Sequence, residues 1–397
     1  MNKLDLVVLA GGLGSRISKI TKSKPKPLIK FGKLDFLKNL INHLAKFNFN
    51  KIYIIAGYKG KQIKQKFNKK IVNLTEIKCI IEKKPKGTGG ALYELKKYNL
   101  NNFILVNGDS FCAIDLNKFT KDIKNKLVKI ALAKNLYYKS NKTLSTLNIR
   151  NKKIYYDSKS NYMNAGIYYI NKQFLKYIKK NKKSFENHYL KDLIFKQKVY
   201  GQKFDEELFD IGTYENLKIA NKTLPSLFKK PAVFLDRDGV INHDYGYVHS
   251  RNKFKLRKNV LKGLKHLNKL NYYIFIVTNQ SGIARGYYTE KKFISFQKNI
   301  NEYFFKKNIY FHDIMYCPHH IEGKVKKYSI NCDCRKPKTL MLQNIDNNYD
   351  IDLRRSFFIG DKKTDHECAK KYKIKFYFAK DDFYQDLYHI LNKANHF

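Results

Sequence analysis

Tryptophan is absent from this chain, and acidic residues are scarce: 33 Asp and Glu stand against 80 Lys and Arg, a formal charge of +47. No apolar run approaches the roughly 18 residues that a membrane span needs, which excludes a spanning helix. Met1 to Leu9 lacks the charged-then-apolar layout of a signal peptide and runs straight into a strand pattern. These absences predict a soluble, cytoplasmic protein. Nor is there an internal repeat or a low-complexity tail.

The surplus of positive charge has two readings. A nucleic-acid or anionic-membrane partner would suit it. The lysines are spread along the whole chain, however, and Asn, Ile, Tyr and Phe are abundant too. That pattern favours the drift an AT-rich genome imposes, so no specific nucleic-acid partner is expected. Anionic substrates would still be steered to such a surface. A nucleic-acid-binding protein on retired enzyme folds stays as the contrasting hypothesis, weighed against the intact catalytic sets below. The oligomeric state is not legible.

At 397 residues the chain is too long for one ordinary core. Leu4 to Ala10 is a near-continuous apolar run ending in glycines, as in a buried parallel strand. Phe36, Leu37, Leu40, Ile41, Leu44 and Phe47 recur at helical spacing, and Lys51 to Ala56 is the next strand. The rhythm pauses around Pro225 and Pro231 and restarts at Ala232 to Leu235. It predicts an α/β protein of two doubly wound, mainly parallel-sheet domains, 1–222 and 231–397, joined by a linker at 223–230.

Ligands in open α/β sheets bind at the carboxyl ends of strands. The first strand ends in Leu9-Ala10-Gly11-Gly12-Leu13-Gly14-Ser15-Arg16, where glycines let a backbone approach phosphates and Arg16 adds charge. Such a glycine run can equally be a tight turn. Lys26 follows, held between Pro25 and Pro27; Gly87-Thr88-Gly89-Gly90-Ala91 reads as a second glycine-rich loop. Asp109 stands at a strand end and Asp210 precedes Ile211-Gly212; the two carboxylates suit Mg²⁺ on phosphates. A turn-capping role is the alternative for Asp109 alone.

Residues 1–222 resemble the sugar-1-phosphate nucleotidyltransferases, through LAGGLGSRI, KPKPL, GTGGA, NGDS, Asn164-Ala165-Gly166 and DIGT. The resemblance implies that Leu9, Gly11, Gly12, Gly14, Gly87, Thr88 and Gly89 bind nucleotide. It also implies that Arg16 and Lys26 hold the triphosphate, and that Asp109 and Asp210 bind Mg²⁺. Asn164, Gly166 and Glu186 would face the sugar. Nucleotidyl transfer needs no covalent protein intermediate, only positioning and charge neutralisation.

In Phe234-Leu235-Asp236-Arg237-Asp238-Gly239 two aspartates stand two apart at a strand end. Asp236 can attack phosphorus, while Asp238 protonates the leaving oxygen and later activates water. The bland alternative is a helix-capping pair. Thr278 can bind the phosphoryl group, Lys336 can neutralise it, and Asp361 can complete a Mg²⁺ site with Asp236 that Asp365 supports. Cys317, His319, Cys332 and Cys334 form the Cys₃His set of a closed structural zinc site, which would aim Arg335 and Lys336. His320 is the rival ligand, better read as a surface histidine. Cys79, Cys112 and Cys368 stand alone and read as small buried residues.

This set looks like the haloacid dehalogenase superfamily of phosphatases. It is most similar to the D-glycero-D-manno-heptose 1,7-bisphosphate 7-phosphatases, through DRDGVIN, GYVH, TNQSGIARG, CPHH, CDCRKP and GDK. That branch implies that Asp244, Tyr245, Gly246, Tyr247 and Arg335 touch the sugar or its second phosphate, with Asn279, Gln280 and Ser281 also at the substrate. Asp238 and the Lys362 backbone would join the Mg²⁺ site. Histidinol-phosphate phosphatases share much of the pattern. The N-terminal half looks most like heptose-1-phosphate guanylyltransferases, so GTP is the expected co-substrate and GDP-heptose the product. Mannose 1-phosphate stays open for that half.

Overall fold

The structure, a computed structural model, describes residues 3–82, 87–134, 146–180 and 183–393. It divides into two compact units, Met1–Phe31 with Asp35–Pro225, and Gly32–Leu34 with Ser226–Phe397.

In the first unit the apolar run Asp5–Ala10 is buried along its whole length. It is the central strand. Ile52–Ala56 and Phe103–Asn107 flank it in parallel, and Thr75–Ile81 extends the sheet beyond Ile52–Ala56. The chain thus leaves the first strand to one side and later returns to the other. That makes a crevice at the carboxyl ends of Asp5–Ala10 and Phe103–Asn107, where ligands of such sheets bind. The sheet has 11 strands among the described residues and is not wholly parallel. Tyr162–Ile170 enters antiparallel between Phe103–Asn107 and Val128–Lys134. Strand direction was not legible from apolar runs, since burial on both faces gives the same pattern either way.

The second unit holds a five-stranded, wholly parallel sheet in the order Asp313–Cys317, Tyr273–Asn279, Ala232–Leu235, Phe357–Gly360, Lys375–Phe378. All its crossovers therefore return to one end, and every strand terminus on that end can carry a functional residue.

The segment expected to be an irregular linker, 223–230, is helical as far as Phe228, in a helix Tyr214–Phe228 that contains Pro225. A proline inside a helix removes one hydrogen bond. Leu224 and Phe228 on either side of it are buried, and that burial outweighs the loss. Cys79, Cys112 and Cys368 are buried and unpaired. Among the described residues no helix is long and apolar enough to cross a membrane.

Helix Val260–Lys269 packs with its Gly263 against Phe383; a Cβ there would lie 2.5 Å from the ring. Glycine within a helix normally costs about 1 kcal/mol relative to alanine. Here Gly263→Ala should instead destabilise the unit, by about 1–3 kcal/mol of overpacking. Urea unfolding checks the sign; a stabilised variant would contradict the contact.

Candidate active sites

In the first unit the strand Val199–Asp210 pairs antiparallel with Ser110–Cys112, setting Asp210 opposite Ser110. The Ile211 amide donates to the Asp109 carbonyl at 3.0 Å. This pairing, and not sequence proximity, joins the two aspartates. Lys26, buried, reaches Asp109 Oδ2 with its Nζ at 2.7 Å. Burial, then the nearby charge of Asp109, raises the pKa of Asp210 against the pull of Lys26 and Arg16. Two carboxylates beside one buried ammonium fit a divalent cation, which would offset their repulsion. Arg16 is exposed, on the short turn Ser15–Ile17 beyond the glycines. Gly14 has φ +65°, a conformation that favours glycine, while a Cβ at Gly11 would lie 2.7 Å from the tip of the Glu82 side chain. Gly12 meets nothing within 4 Å and is open.

Several N-terminal expectations change. Gly87 to Ala91 is no loop; it opens the helix Gly87–Glu94. The Gly89 amide donates to the Lys183 carbonyl at 3.1 Å, and a side chain there would strike Lys183 and Tyr189. Gly89 thus serves close packing, not an open phosphate cradle. Thr88 faces Glu186, one of the residues expected to meet the sugar: its hydroxyl donates to Glu186 Oε2 at 2.7 Å and accepts from the Phe185 amide at 2.7 Å. Leu9 belongs to the core, and its carbonyl accepts from Gly108 N at 2.8 Å. Asn164, Gly166 and Glu186 do converge. Asn164 Nδ2 donates to the Tyr168 hydroxyl at 2.7 Å, and its Oδ1 accepts from Gly166 N at 2.9 Å. Gly166, at φ +69°, lies against Asn107. Burial, reinforced by Glu186, pushes the Tyr168 phenol well above its usual range. Tyr168 was missed in the sequence because it sits within a strand among residues that read as core; Asn107 was read within the NGDS motif at a strand end but given no role.

In the second unit a cleft of about 330 Å³ opens over the strand ends, lined by Asp236, Asp238, Asp244, Gly246, Tyr247, Thr278, Asn279, Gln280, Ser281, Lys336 and Lys362. Tyr288, Thr364 and Asp365 also line it. Lys336 is buried; its Nζ lies 3.0 Å from Asp236 Oδ1, 2.6 Å from Asp365 Oδ1 and 2.7 Å from the Val277 carbonyl. Its backbone is pinned by Asn279, whose Oδ1 accepts from Lys336 N at 3.1 Å and whose Nδ2 donates to Lys336 O at 3.2 Å. Burial pushes the Asp236 carboxyl up to about 7, opposed by Lys336 and reinforced by Asp365, Asp238 and Asp361. Carboxylate oxygens of Asp236, Asp361 and Asp365 lie within 4.8 Å of one another. Asp361 Oδ1 is buried without a hydrogen-bond partner among the described residues. Such an oxygen in a carboxylate cluster fits a Mg²⁺ ligand.

Four expectations are corrected here. The Asp238 carboxylate does not join that cluster; it is taken by Arg237, by Asn242 and by Gln280. The Lys362 amide donates to Asp365 Oδ2 at 3.2 Å and its carbonyl accepts from the next helical turn, so its backbone is committed. The Lys362 ammonium instead holds Asp244 Oδ2 at 2.8 Å. Against burial, which works the other way, that ammonium keeps the Asp244 carboxyl below its usual value. Tyr245 is half exposed and packs on His243, outside the cleft lining. Arg335 is turned away, donating to the His319 carbonyl at 3.3 Å.

Cys317, His319, Cys332 and Cys334 come together. The sulfurs lie 3.2–3.5 Å apart, and His319 Nδ1 is 3.2 Å from Cys334 Sγ. Hydrogen bonding from Cys317 holds the Cys334 thiol down to about 5, while Cys317 itself is pushed up. Three thiols and an imidazole at these distances fit a closed tetrahedral metal site. His320 stands apart, beside Arg285 and Glu322.

Residues 6–144 match the nucleotidyl transferase family, and residues 233–386 match the polynucleotide kinase 3 phosphatase family. A D-glycero-beta-D-manno-heptose-1,7-bisphosphate 7-phosphatase of Vibrio cholerae is 44% identical over 141 residues, 36% of this chain and 76% of the relative. The Haemophilus influenzae protein of that name is 43% identical over 144 residues, 36% of this chain and 78% of its own length. Among solved structures, HddC of Yersinia pseudotuberculosis is 26% identical over 56% of this chain and 99% of its own, with a TM-score of 0.47. The chain is thus an enzyme, a nucleotidyltransferase domain followed by a phosphatase domain. It belongs to the family of the D-glycero-beta-D-manno-heptose-1,7-bisphosphate 7-phosphatases.

Removing one member of a buried charge cluster costs about 3–5 kcal/mol. Lys336→Met should destabilise the second unit on that scale and abolish phosphate release. Chemical unfolding and a phosphate assay check both; wild-type stability would contradict the buried cluster.

Proposed function

We propose that the second unit removes the C7 phosphate of D-glycero-D-manno-heptose 1,7-bisphosphate and that the first then joins the heptose 1-phosphate to GMP from GTP. The observation that carries this reading is the pairing of Asp236 with Lys336 and Asp361 at the strand ends of a chain whose relatives bear that phosphatase name. The products are inorganic phosphate, pyrophosphate and GDP-heptose. The first unit's share rests on its family match, on the Lys26–Asp109–Asp210 centre and on the Asn164–Tyr168–Glu186 group.

In the phosphatase centre Asp236 attacks phosphorus. Thr278, at the end of its strand, and Lys336 hold the transferring oxygens, and Asp238 gives a proton to the departing sugar oxygen. Mg²⁺ held by Asp236 and Asp361 would neutralise the phosphate charge. Asp244, Gly246 and Tyr247 line the sugar's side of the cleft. In the transferase centre Lys26 and Arg16 hold the triphosphate, with Asp109 and Asp210 as the Mg²⁺ carboxylates. The chemistry is positioning and charge neutralisation. Cys317, His319, Cys332 and Cys334 would hold a Zn²⁺ that braces the chain before Lys336, and four protein ligands would leave it no open position for catalysis. The cytoplasm, where thiols stay reduced, is the fitting location.

Asp236→Asn should abolish phosphate release from the bisphosphate and leave GDP-heptose formation from heptose 1-phosphate intact. Asp109→Ala should do the reverse. Loss of both activities in either variant would contradict two independent centres. Cys332→Ser should lose bound zinc, measured by mass spectrometry of metals, and lower the unfolding temperature of the second unit; a zinc-free variant of unchanged stability would count against the brace.

A further inference from the structure

Arg237 lies between the two aspartates in sequence, yet it does not line the cleft. It is wholly buried. Its Nε donates to Asp238 Oδ1 at 3.1 Å and its Nη2 to Asp238 Oδ2 at 2.7 Å. Nη2 also reaches the Val248 carbonyl at 2.6 Å, and Nη1 reaches Gln297 Oε1 at 3.3 Å. The rings of Phe293 and Phe296 lie 5.5 and 5.9 Å from the guanidinium carbon. Gln280 completes the hold: its Nε2 donates to Asp238 Oδ2 at 3.0 Å, while its Oε1 accepts from the Tyr288 hydroxyl at 2.8 Å.

A buried guanidinium is expensive unless every donor is matched. Packing alone would be served by an apolar side chain in the same aromatic slot. What an arginine adds is a planar fork that fits a carboxylate in one orientation. Val248 follows Asp244, Gly246 and Tyr247 on the loop lining the sugar's side of the cleft. The same guanidinium therefore touches both the carboxylate and that loop.

We infer that Arg237 is a positioning residue for proton transfer: it aims the Asp238 carboxyl at the leaving oxygen and ties it to the substrate loop through Val248. The inference rests on the role given to Asp238 above. In that step an Asp236 oxygen bonds to phosphorus, the bond from phosphorus to the sugar oxygen breaks, and the proton on Asp238 passes to that oxygen. Water then loses a proton to Asp238 as it attacks the aspartyl phosphate, freeing Asp236 and inorganic phosphate.

The test exploits the leaving group. A sugar alkoxide must be protonated as it departs, whereas the p-nitrophenolate of p-nitrophenyl phosphate leaves as a stable anion. Arg237→Lys keeps the charge and loses the fork. Read as the single-turnover rate of leaving-group release, which precedes the water step common to both substrates, the reaction should slow about 100-fold on heptose 1,7-bisphosphate, in the range of a lost general acid, and far less on p-nitrophenyl phosphate. Asp238→Asn, measured alongside, should show the same selectivity. If Asp238→Asn lowers both substrates equally, the role of Asp238 fails, and the inference with it. If Asp238→Asn is selective but Arg237→Lys lowers both equally, the inference alone fails. Should Arg237→Lys not fold, Gln297→Leu decides: it removes the Nη1 acceptor without touching the cleft. A smaller loss confined to the sugar substrate supports the positioning role, and an equal loss on both overturns it.

Discussion

Lys336 is buried, and its ammonium lies within 3.0 Å of three oxygens, from Asp236, Asp365 and the Val277 carbonyl. Much of the phosphatase centre follows from keeping that charge dry and paired. Asn279 pins the lysine's backbone, so the loop that carries it must return to the end of strand Tyr273–Asn279. The Cys₃His cluster stands just before the lysine in sequence. Asp365, on helix Lys363–Lys371, is bound to Lys336 and also caps its own helix by accepting from Lys362 N. A single ammonium thus couples two strands, a helix and a loop. The carboxylates around it outnumber it, and that imbalance is what a divalent cation would resolve.

The transferase centre uses the same physics with different parts. Lys26 is buried against Asp109 while Asp210 is brought alongside by strand pairing. In both units the charged groups lie at carboxyl ends of parallel strands, where the backbone leaves room for a ligand. The groups proposed to meet substrate differ. In the first unit they are amides and a buried phenol at Asn164, Asn107 and Tyr168. The second presents a loop held by a salt bridge from Lys362 to Asp244.

The central strands of both sheets and the spacing of the phosphatase residues were legible in the sequence because their signals are local: apolar runs ending in Asp236, Thr278 and Asp361, and cysteine spacings that bring ligands together. What escaped depends on long-range placement. Tyr168 reads as core until the fold sets its hydroxyl beside Asn164. Gly89 reads as a phosphate loop until Lys183 takes its amide. Lys362 reads as a backbone ligand, but its amide and carbonyl serve a helix start and its ammonium reaches Asp244, 118 residues away. Arg335 reads as a phosphate ligand beside Lys336, yet the two sit in a tight turn closed by the Lys338 amide on the Arg335 carbonyl, and its guanidinium goes to the His319 carbonyl. The helix through Pro225 was hidden because burial of its neighbours overrides proline's local preference.

The most direct measurement supplies the wild-type enzyme with Mg²⁺, GTP and either the α or the β anomer of heptose 1,7-bisphosphate, and reads the products by mass. Two consecutive steps on one chain require that the anomer losing its C7 phosphate be the one joined to GMP. GDP-heptose and free phosphate from the same anomer are the expected result. Phosphate from one anomer with nucleotide sugar only from the other, or no nucleotide sugar from either, would contradict it.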